Sequence, residues 1–506
     1  MRKWIRWAML VFLCLLPVNA ARAAEMAEDI SAKSLITEHG GFRYADGLFD
    51  GDTIHPMTFG DGTFLTLEYE EGIGSLYLIF DVEYGPYTVT DNGTGQSHVC
   101  GEAGFLHEFI DLEAVFGAVP TSVTLRFENG SGKFNELYAF TAGQVPSFVQ
   151  QWSAPAEGET DLILFSTHGD DEQLFFAGLL PYYAGELGYQ VQVVYLTNHR
   201  NLTTERCHEM LNGLWAVGVT AYPVFGPYGD YLTSTCRKAY NVFHYMGIEK
   251  EELLGFVVEQ LRRFKPLVAV GHDLNGEYGH GMHMLYADLL CQAVEVAKDP
   301  EAYPELAEAY GTWDVPKTYL HLYPENEIVM DWDRPLSSFG GMTAFEVTKY
   351  KGFACHITQY SDFEWYLFSS STAAGVPKYN PCQYGLYRST VGADVQKNDF
   401  FENLTTYGEQ KRLAEEAARA EAERLAAEEA LREEEAKKAE EAREEEAAAQ
   451  RAAEELASQE AERREQARRQ QEKRQYAVAG ILLVLLAAVA GILLRRKRKA
   501  KKSEIF

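Results

Sequence analysis

The sequence is short of positive charge. Its 506 residues carry 46 Lys and Arg against 75 Asp and Glu, a formal net charge of -29. A balance of that kind leaves no basic face for a phosphate backbone, so nucleic acid is excluded as a partner. Among the seven cysteines there is no C-x-x-C pair, which leaves a cysteine zinc site without support. Cys14 lies in an N-terminal apolar run, and Cys100, Cys207, Cys236, Cys291, Cys355 and Cys382 remain. Disulfides are permitted in an exported chain, and spacing does not choose among the pairings. Leucine is sparse from about Glu409 to Gln475 (Leu413, Leu425, Leu431, Leu456), so no sustained a/d heptad is present.

What is present at the two ends is targeting and anchoring. Arg2, Lys3 and Arg6, the apolar "AMLVFLCLLP" and the small-x-small Ala21–Arg22–Ala23 read as a signal peptide over residues 1–23. Its apolar run is too short to favour a first membrane helix. At the other end Tyr476–Leu494 is uncharged and apolar, near the ~20 residues a helix needs to cross a bilayer. "RRKRKAKK" follows at once, and such a cluster marks the cytoplasmic side. The expectation is a single-pass protein of the cell membrane, with its bulk outside and residues 495–506 as a basic cytoplasmic tail.

Residues 409–475 collapse to Glu, Ala, Arg, Lys and Gln. Glu415/Arg419, Glu428/Arg432, Glu433/Lys437 and Glu434/Lys438 are acid-before-base i,i+4 pairs, which support an exposed helix. Either a single stiff helix or a weak coiled coil fits, the latter allowing weak self-association. It would extend for roughly 100 Å as a stalk.

A chain of this length holds two or three domains. Residues 30–145 read as all-β. Runs such as "TFLTLEYE", "SLYLIFDVEY" and "SVTLRFENG" alternate between Gly- and Asp-rich turns, as in a sandwich. Residues 155–405 read as α/β. "DLILFST", "VQVVYLT", "AYPVFG", "PLVAVGH" and "TYLHLY" are strand candidates, with helical patterns over Glu172–Tyr183, Thr204–Val217, Glu251–Phe264 and His280–Val296 between them. That alternation predicts βαβ units and a parallel sheet, whose ligands bind beyond the carboxyl ends of the strands.

Two clusters sit at such ends. "FSTHGDDEQLFFAG" follows the first strand of the α/β region and offers His168, Asp170, Asp171 and Glu172. Acids at a helix N-terminus are also favoured by the helix dipole alone. The second cluster, "GHDLNGEYGHGMHMLYADLL", follows "PLVAVGH" and places His280 and His283 three apart on one helical face. A hydrolytic zinc site uses three protein ligands and leaves a position for water. His168, Asp171 and one histidine of the second cluster meet that need, and Asp170 is left to take a proton from water. His272 reads as a supporting residue. Calcium would call for oxygen-rich loops with few histidines.

These residues resemble a known family. "THGDDEQLFFAG" is similar to the H-P-D-D-E signature of the N-acetylglucosaminyl-phosphatidylinositol (PIG-L) and LmbE-like deacetylases, and "GEYGHGMH" to their H-x-x-H signature. "TTERCHEMLNGLWAVGV" and "VFGPYGDYL" match further family segments in order. The resemblance implies a Rossmann-like deacetylase domain in which His168, Asp171 and His283 bind Zn2+ and Asp170 is the general base. His280 would stabilise the oxyanion or assist the leaving amine, while Arg206 and Asp230 would help shape the substrate site. Gly169 replaces the usual Pro, which is expected to loosen the loop, and Met282 stands where many bacterial members have Asp. "GLFDGDTIHPMTFGDGTFLTLEY" with "KFNELYAFTAG" resembles galactose-binding, discoidin-type jelly rolls. Such modules bind glycans in some proteins and are structural neighbours of an enzyme in others.

The expected function is therefore a membrane-anchored zinc N-deacetylase of an N-acetylated sugar or glycan. The alternatives are an amidase on another N-acyl substrate and a non-catalytic surface adhesin whose sandwich binds glycan.

Overall fold

The computed structural model describes residues 26–39, 45–155, 157–198 and 204–500. The signal-peptide segment 1–23 and the end of the basic tail lie outside the described residues. The chain divides into two compact units, one ending at Gln410 and the other beginning at Lys411.

The first unit opens with two antiparallel sheets. One runs in the order β1 (Leu35–His39), β3 (Thr63–Glu68), β8 (Ser122–Phe127), β5 (Tyr87–Asp91), β6 (Ser97–Cys100). The other runs β2 (Met57–Phe59), β9 (Gly132–Phe140), β4 (Ser75–Phe80), β7 (His107–Asp111). β3 and β8 alternate between buried and partly exposed residues, as sheets with one covered face do. β4, "SLYLIF", is buried throughout because both of its faces are covered. Leu76, Leu78 and Phe80 enter the core between the sheets, while Tyr77 and Ile79 pack on the other side with Val149 and Phe140.

That outer face of β4 leads to the neighbouring α/β region. Tyr77 Oη lies 2.6 Å from His107 Nδ1, and His107 Nε2 lies 2.8 Å from Nδ1 of His208, on the helix Glu205–Ala216. Burial pushes His208 down to about 4 and His107 well below its ordinary value. Both rings are therefore neutral in the fold, whereas the unfolded chain binds protons below about 6.5. Stability from the pair is present above pH 6.5 and is lost as the pH falls toward 4, by on the order of 1–3 kcal/mol. Asp170, raised by burial, contributes with the opposite sign over part of this range. The test is therefore a difference: unfolding midpoints at pH 7 and pH 5 should lie closer together in His208→Asn than in the parent. An unchanged gap would remove the pair as the source.

The α/β sheet runs β12 (Val224–Tyr228), β11 (Val191–Thr197), β10 (Leu162–Ser166), β13 (Val268–Gly271), β14 (Lys317–His321), β16 (Gln383–Ser389), β15 (Glu327–Val329). The first five are parallel, and β16 and β15 add antiparallel at one edge. The five strands expected from the sequence form the parallel part, and β16 and β15 come from stretches with little periodicity that were not expected as strands. β10 is buried on both faces, Leu162 and Leu164 in one core and Ile163 and Phe165 in the other. Helix Glu205–Ala216 covers the first face, and helices Lys250–Phe264 and Gly281–Val296 cover the second. The chain leaves β10 to build β11 and β12 on one side, then returns to build β13 and β14 on the other. The crevice between β10 and β13 is the switch point where such sheets bind ligands.

One expected helix is broken. Glu172–Tyr183 forms a short helix, Asp171–Leu174, and a separate turn of helix from Pro181 to Glu186. Gly178 between them has φ 93 and lies against Trp332, where a Cβ would come within 2.6 Å of the indole.

The second unit continues the helix Tyr407–Ala500, of 94 residues. Leu413, Leu425, Leu431 and Leu456 are all exposed in the single chain. Glu434 pairs with Lys438 as expected, but Arg419 reaches forward to Glu423, and Arg424 reaches back to Glu421 and forward to Glu428. Exposed pairs of this kind contribute little individually. The apolar end of the helix is long and apolar enough to cross a membrane by length and composition.

Candidate active site

The turn after β10 carries the first cluster and the segment after β13 carries the second, so both face the switch-point crevice. His168 Nδ1 lies 2.9 Å from Asp171 Oδ2 and 3.1 Å from His283 Nε2, and His283 Nε2 lies 3.2 Å from Asp171 Oδ2. Three donor atoms thus form a nearly equilateral triangle among buried residues. Its edges suit a tetrahedral ion, whose ligands at about 2.0–2.1 Å lie roughly 3.3 Å apart.

The protons explain the convergence. Nδ1 of His283 faces Glu277 Oε2 at 2.8 Å, and a carboxylate only accepts, so this nitrogen donates and Nε2 turns a lone pair to the triangle. Nε2 of His168 faces Asp230 Oδ1 at 3.0 Å, which turns its Nδ1 lone pair the same way. Two lone pairs and a carboxylate oxygen converging in a buried pocket require a cation or protons between them. Burial alone would lower both histidines, but Asp171 and its neighbouring carboxylates raise His168 to about 10 and His283 to about 9. Burial alone would raise Asp171, yet His283 and His168 hold it well below the usual carboxylate range. The donor set therefore fits a metal ion, and two overlapping groups, His168 with His280 and His283 and Asp171 with His272 and His283, are also close enough to hold one. Carboxylates behind His168 and His283 are the usual support of such ligands.

His272 stacks on His283 with ring centroids 4.2 Å apart, but its lone pair is taken. Its Nε2 accepts the Thr167 backbone N–H at 3.0 Å, and its Nδ1 donates to Glu277 Oε2 at 2.9 Å. His272 braces the β10 turn and is poorly placed to ligate.

Asp170 stands outside the triangle. Burial raises it to about 6, against the pull of Arg206, whose Nη2 is 3.5 Å from Asp170 Oδ2. The same Nη2 donates to the Gly169 carbonyl at 2.9 Å. Met210 packs against Gly169, where a Cβ would meet its Sδ at 2.2 Å. The glycine makes room for Met210.

His280 caps the helix Gly281–Val296, its Nδ1 accepting the Met282 N–H at 3.2 Å. The ring proton is then on Nε2. Burial, with His168 and His283 nearby, pushes His280 down to about 3, so it is a neutral donor beside the triangle. Met282 is fully buried in the apolar core and offers the site nothing polar.

The structure brings His168, Asp170, Asp171, Arg206, Asp230, His280 and His283 together around one crevice. Asp230, expected at the substrate, has its carboxylate on the His168 ring. Sequence reading missed Glu277, which also accepts from His321 Nδ1 at 2.7 Å, and the buried pair Glu172–His356, Oε1 to Nε2 at 3.1 Å. Glu277 lies within "GEYGH", where a carboxylate beside two histidines was the one available signal.

No protein-family model matches the chain. Among curated proteins it is 28% identical over 205 residues to "1D-myo-inositol 2-acetamido-2-deoxy-alpha-D-glucopyranoside deacetylase 1" of Catenulispora acidiphila, covering 36% of this chain and 62% of that one. It is 24% identical over 301 residues to the deacetylase of the same name, without the number, from Streptomyces scabiei, covering 48% and 89%. These relatives are deacetylases. The chain is similar to these named deacetylases over part of its length. The chain spans about six-tenths of the length of several of these relatives. Among solved structures, N,N'-diacetylchitobiose deacetylase from Pyrococcus horikoshii aligns at 14% identity over 45% of this chain and 84% of that one. Its TM-score of 0.32 is too low to bear on function.

Proposed function

We propose that the chain is a membrane-anchored, extracytoplasmic, zinc-dependent N-deacetylase. Its substrate is an N-acetylglucosamine-type glycan or glycoconjugate, from which it releases acetate. The observation that carries this reading is the triangle of His168, Asp171 and His283 beside a buried carboxylate that takes no part in it. The curated relatives, named for a 2-acetamido-2-deoxy sugar, support the N-acetyl substrate. The apolar end of the C-terminal helix supports the anchor.

Zinc held by His168, Asp171 and His283 would polarise the acetyl carbonyl and acidify a water molecule. Asp170 takes the proton of the attacking water and returns it to the departing amine. His280 Nε2–H donates to the oxygen on which negative charge develops, where a fixed donor in a dry site contributes most. Asp230 and Glu277 hold the two histidine rings in their ligating tautomers.

The test is zinc content together with acetate release by the full chain in detergent, against a panel of N-acetylated glycans. Stoichiometric zinc with acetate release is the expected result. Zinc without acetate from any glycan would move the substrate to another N-acyl compound, and the absence of both would leave a glycan-binding surface protein.

Arg206 sets the acid limb of the pH profile. Its charge lowers Asp170, so Arg206→Met should raise the base and move the acid limb of kcat/KM to higher pH by about one unit. Activity at pH 7 falls, and part of it returns at pH 8. A profile that drops without moving would assign Arg206 to substrate binding alone.

A further inference from the structure

A cleft of about 590 Å³ opens beside His280, within the size range of small-ligand sites. Leu232, Thr233 and Ser234 form one wall, and Lys238, Asn241 and Tyr245 of the helix Cys236–Tyr245 form another. None of these residues takes part in the chemistry derived above.

The cleft is tied rigidly to the catalytic crevice. Gly281, the first residue of the helix that His280 caps, donates its N–H to the Thr233 carbonyl at 2.8 Å. A Cβ at 281 would lie 2.3 Å from Thr233 Oγ1 and 2.7 Å from the Thr235 carbonyl, so a glycine lets the two segments touch. Tyr240 Oη donates to Asp288 Oδ2 at 2.7 Å, joining the same two helices farther along. Ala239 and Phe243 bury the back of the Cys236–Tyr245 helix in the core. Positions 238, 241 and 245, spaced i, i+3 and i+7, therefore share the face toward the cleft.

Its lip is apolar and open to water. Leu232 is 92% exposed and Tyr245 84% exposed; Ser234, Lys238 and Asn241 between them are exposed too, and His280 is buried at the floor. Apolar side chains gathered in that way at a cleft mark a surface that receives a ligand. The groups between them are an amide (Asn241), a hydroxyl (Ser234) and an ammonium (Lys238), whose Nζ reaches Ser234 Oγ at 3.1 Å. A pyranose ring has the matching chemistry. Its C–H face packs on an aromatic or branched aliphatic side chain, and its rim of hydroxyls takes the amide and ammonium protons.

We propose that this cleft is a subsite for the sugar ring next to the N-acetylated one. The chain then acts on N-acetylglucosamine within an oligosaccharide and not on the free sugar. This rests on the deacetylase reading above and adds the length of the substrate.

The experiment compares N-acetylglucosamine with triacetylchitotriose as substrates of the full chain and of the double variant Leu232→Ser/Tyr245→Ala. The parent should prefer the trisaccharide. The variant should lose about tenfold in kcat/KM on the trisaccharide, the scale of one aromatic anchor, and stay within about twofold on the monosaccharide. Equal parental rates on both sugars would overturn the subsite, as would an equal loss on both in the variant. Sedimentation of the two proteins provides a further check: a change in association state, with sugar preference intact, would make the lip a protein contact. Trisaccharide affinity, measured by calorimetry, separates the two readings. Binding that weakens about tenfold in the variant, without acetate release by either protein, would keep the subsite and remove the deacetylase. Binding that does not change would remove the subsite.

Discussion

Asp170→Asn should abolish most acetate release while leaving the zinc content of the protein unchanged. The two side chains are nearly the same size, so the packing of the turn against Met210 and Arg206 survives. What is lost is a basic oxygen. A carboxamide cannot take a proton from water at neutral pH, and positioned general bases contribute about 10²–10⁴-fold to rate. Zinc should stay because Asp170 is not one of the three atoms in the triangle, whose edges of 2.9, 3.1 and 3.2 Å close without it. Loss of zinc in parallel with activity would make Asp170 a ligand, with the base to be sought elsewhere. A fall of less than about tenfold would mean that another group removes the proton. The variant also reports on the electrostatics of the turn. It removes a buried carboxylate next to Arg206, so a guanidinium now lacking its counter-charge should cost some stability.

Much of this site was legible in the residues. His168, Asp170 and Asp171 follow a continuous apolar run, and His280 and His283 open an apolar helical pattern. Strand ends and helix starts are local features, set by the residues beside them. The helices at 205–216, 250–264 and 281–296 were expected to within a residue or two for the same reason. What was not legible depends on contacts between distant segments. His321 read as part of a strand, yet its ring meets Glu277 from 44 positions away. The His107–His208 contact joins residues 101 apart, from the sandwich to the α/β region. β15 and β16 come from stretches with little alternation, because an edge added antiparallel on a finished sheet is specified by its neighbours more than by its own pattern. The break at Gly178 depends on Trp332, a residue 154 positions later, and helical periodicity across 172–183 carries no trace of it.

Glu277→Gln should weaken zinc binding more than any change outside the three ligands. Three buried imidazoles meet this one carboxylate: His272 and His283 on Oε2 at 2.9 and 2.8 Å, and His321 on Oε1 at 2.7 Å. The Asp273 backbone N–H reaches Oε1 at 3.2 Å. Burial alone would raise Glu277, but His272 and the other two histidines hold it well below the usual carboxylate range. Every neighbour is a donor, and a carboxylate satisfies all of them. Glutamine replaces one acceptor oxygen with a donor, so at least one imidazole must turn its proton away. If that ring is His283, its proton moves to Nε2 and occupies the lone pair aimed at the triangle. Supporting carboxylates of this type are worth about 10–100-fold in metal affinity, and breaking a buried charged contact costs roughly 3–5 kcal/mol of stability. The measurements are zinc affinity by competition with a chelator and the nitrogen shifts of His283 in the metal-free protein. A purely structural role would lower the unfolding temperature and leave the His283 tautomer and zinc affinity as they were. Glu277→Asp should recover part of the affinity, because it keeps the charge and only shortens the reach. In a chain where position 282 offers a buried methionine, the carboxylate that sets the His283 tautomer comes from Glu277, six residues before that histidine, at the price of burying it among three rings.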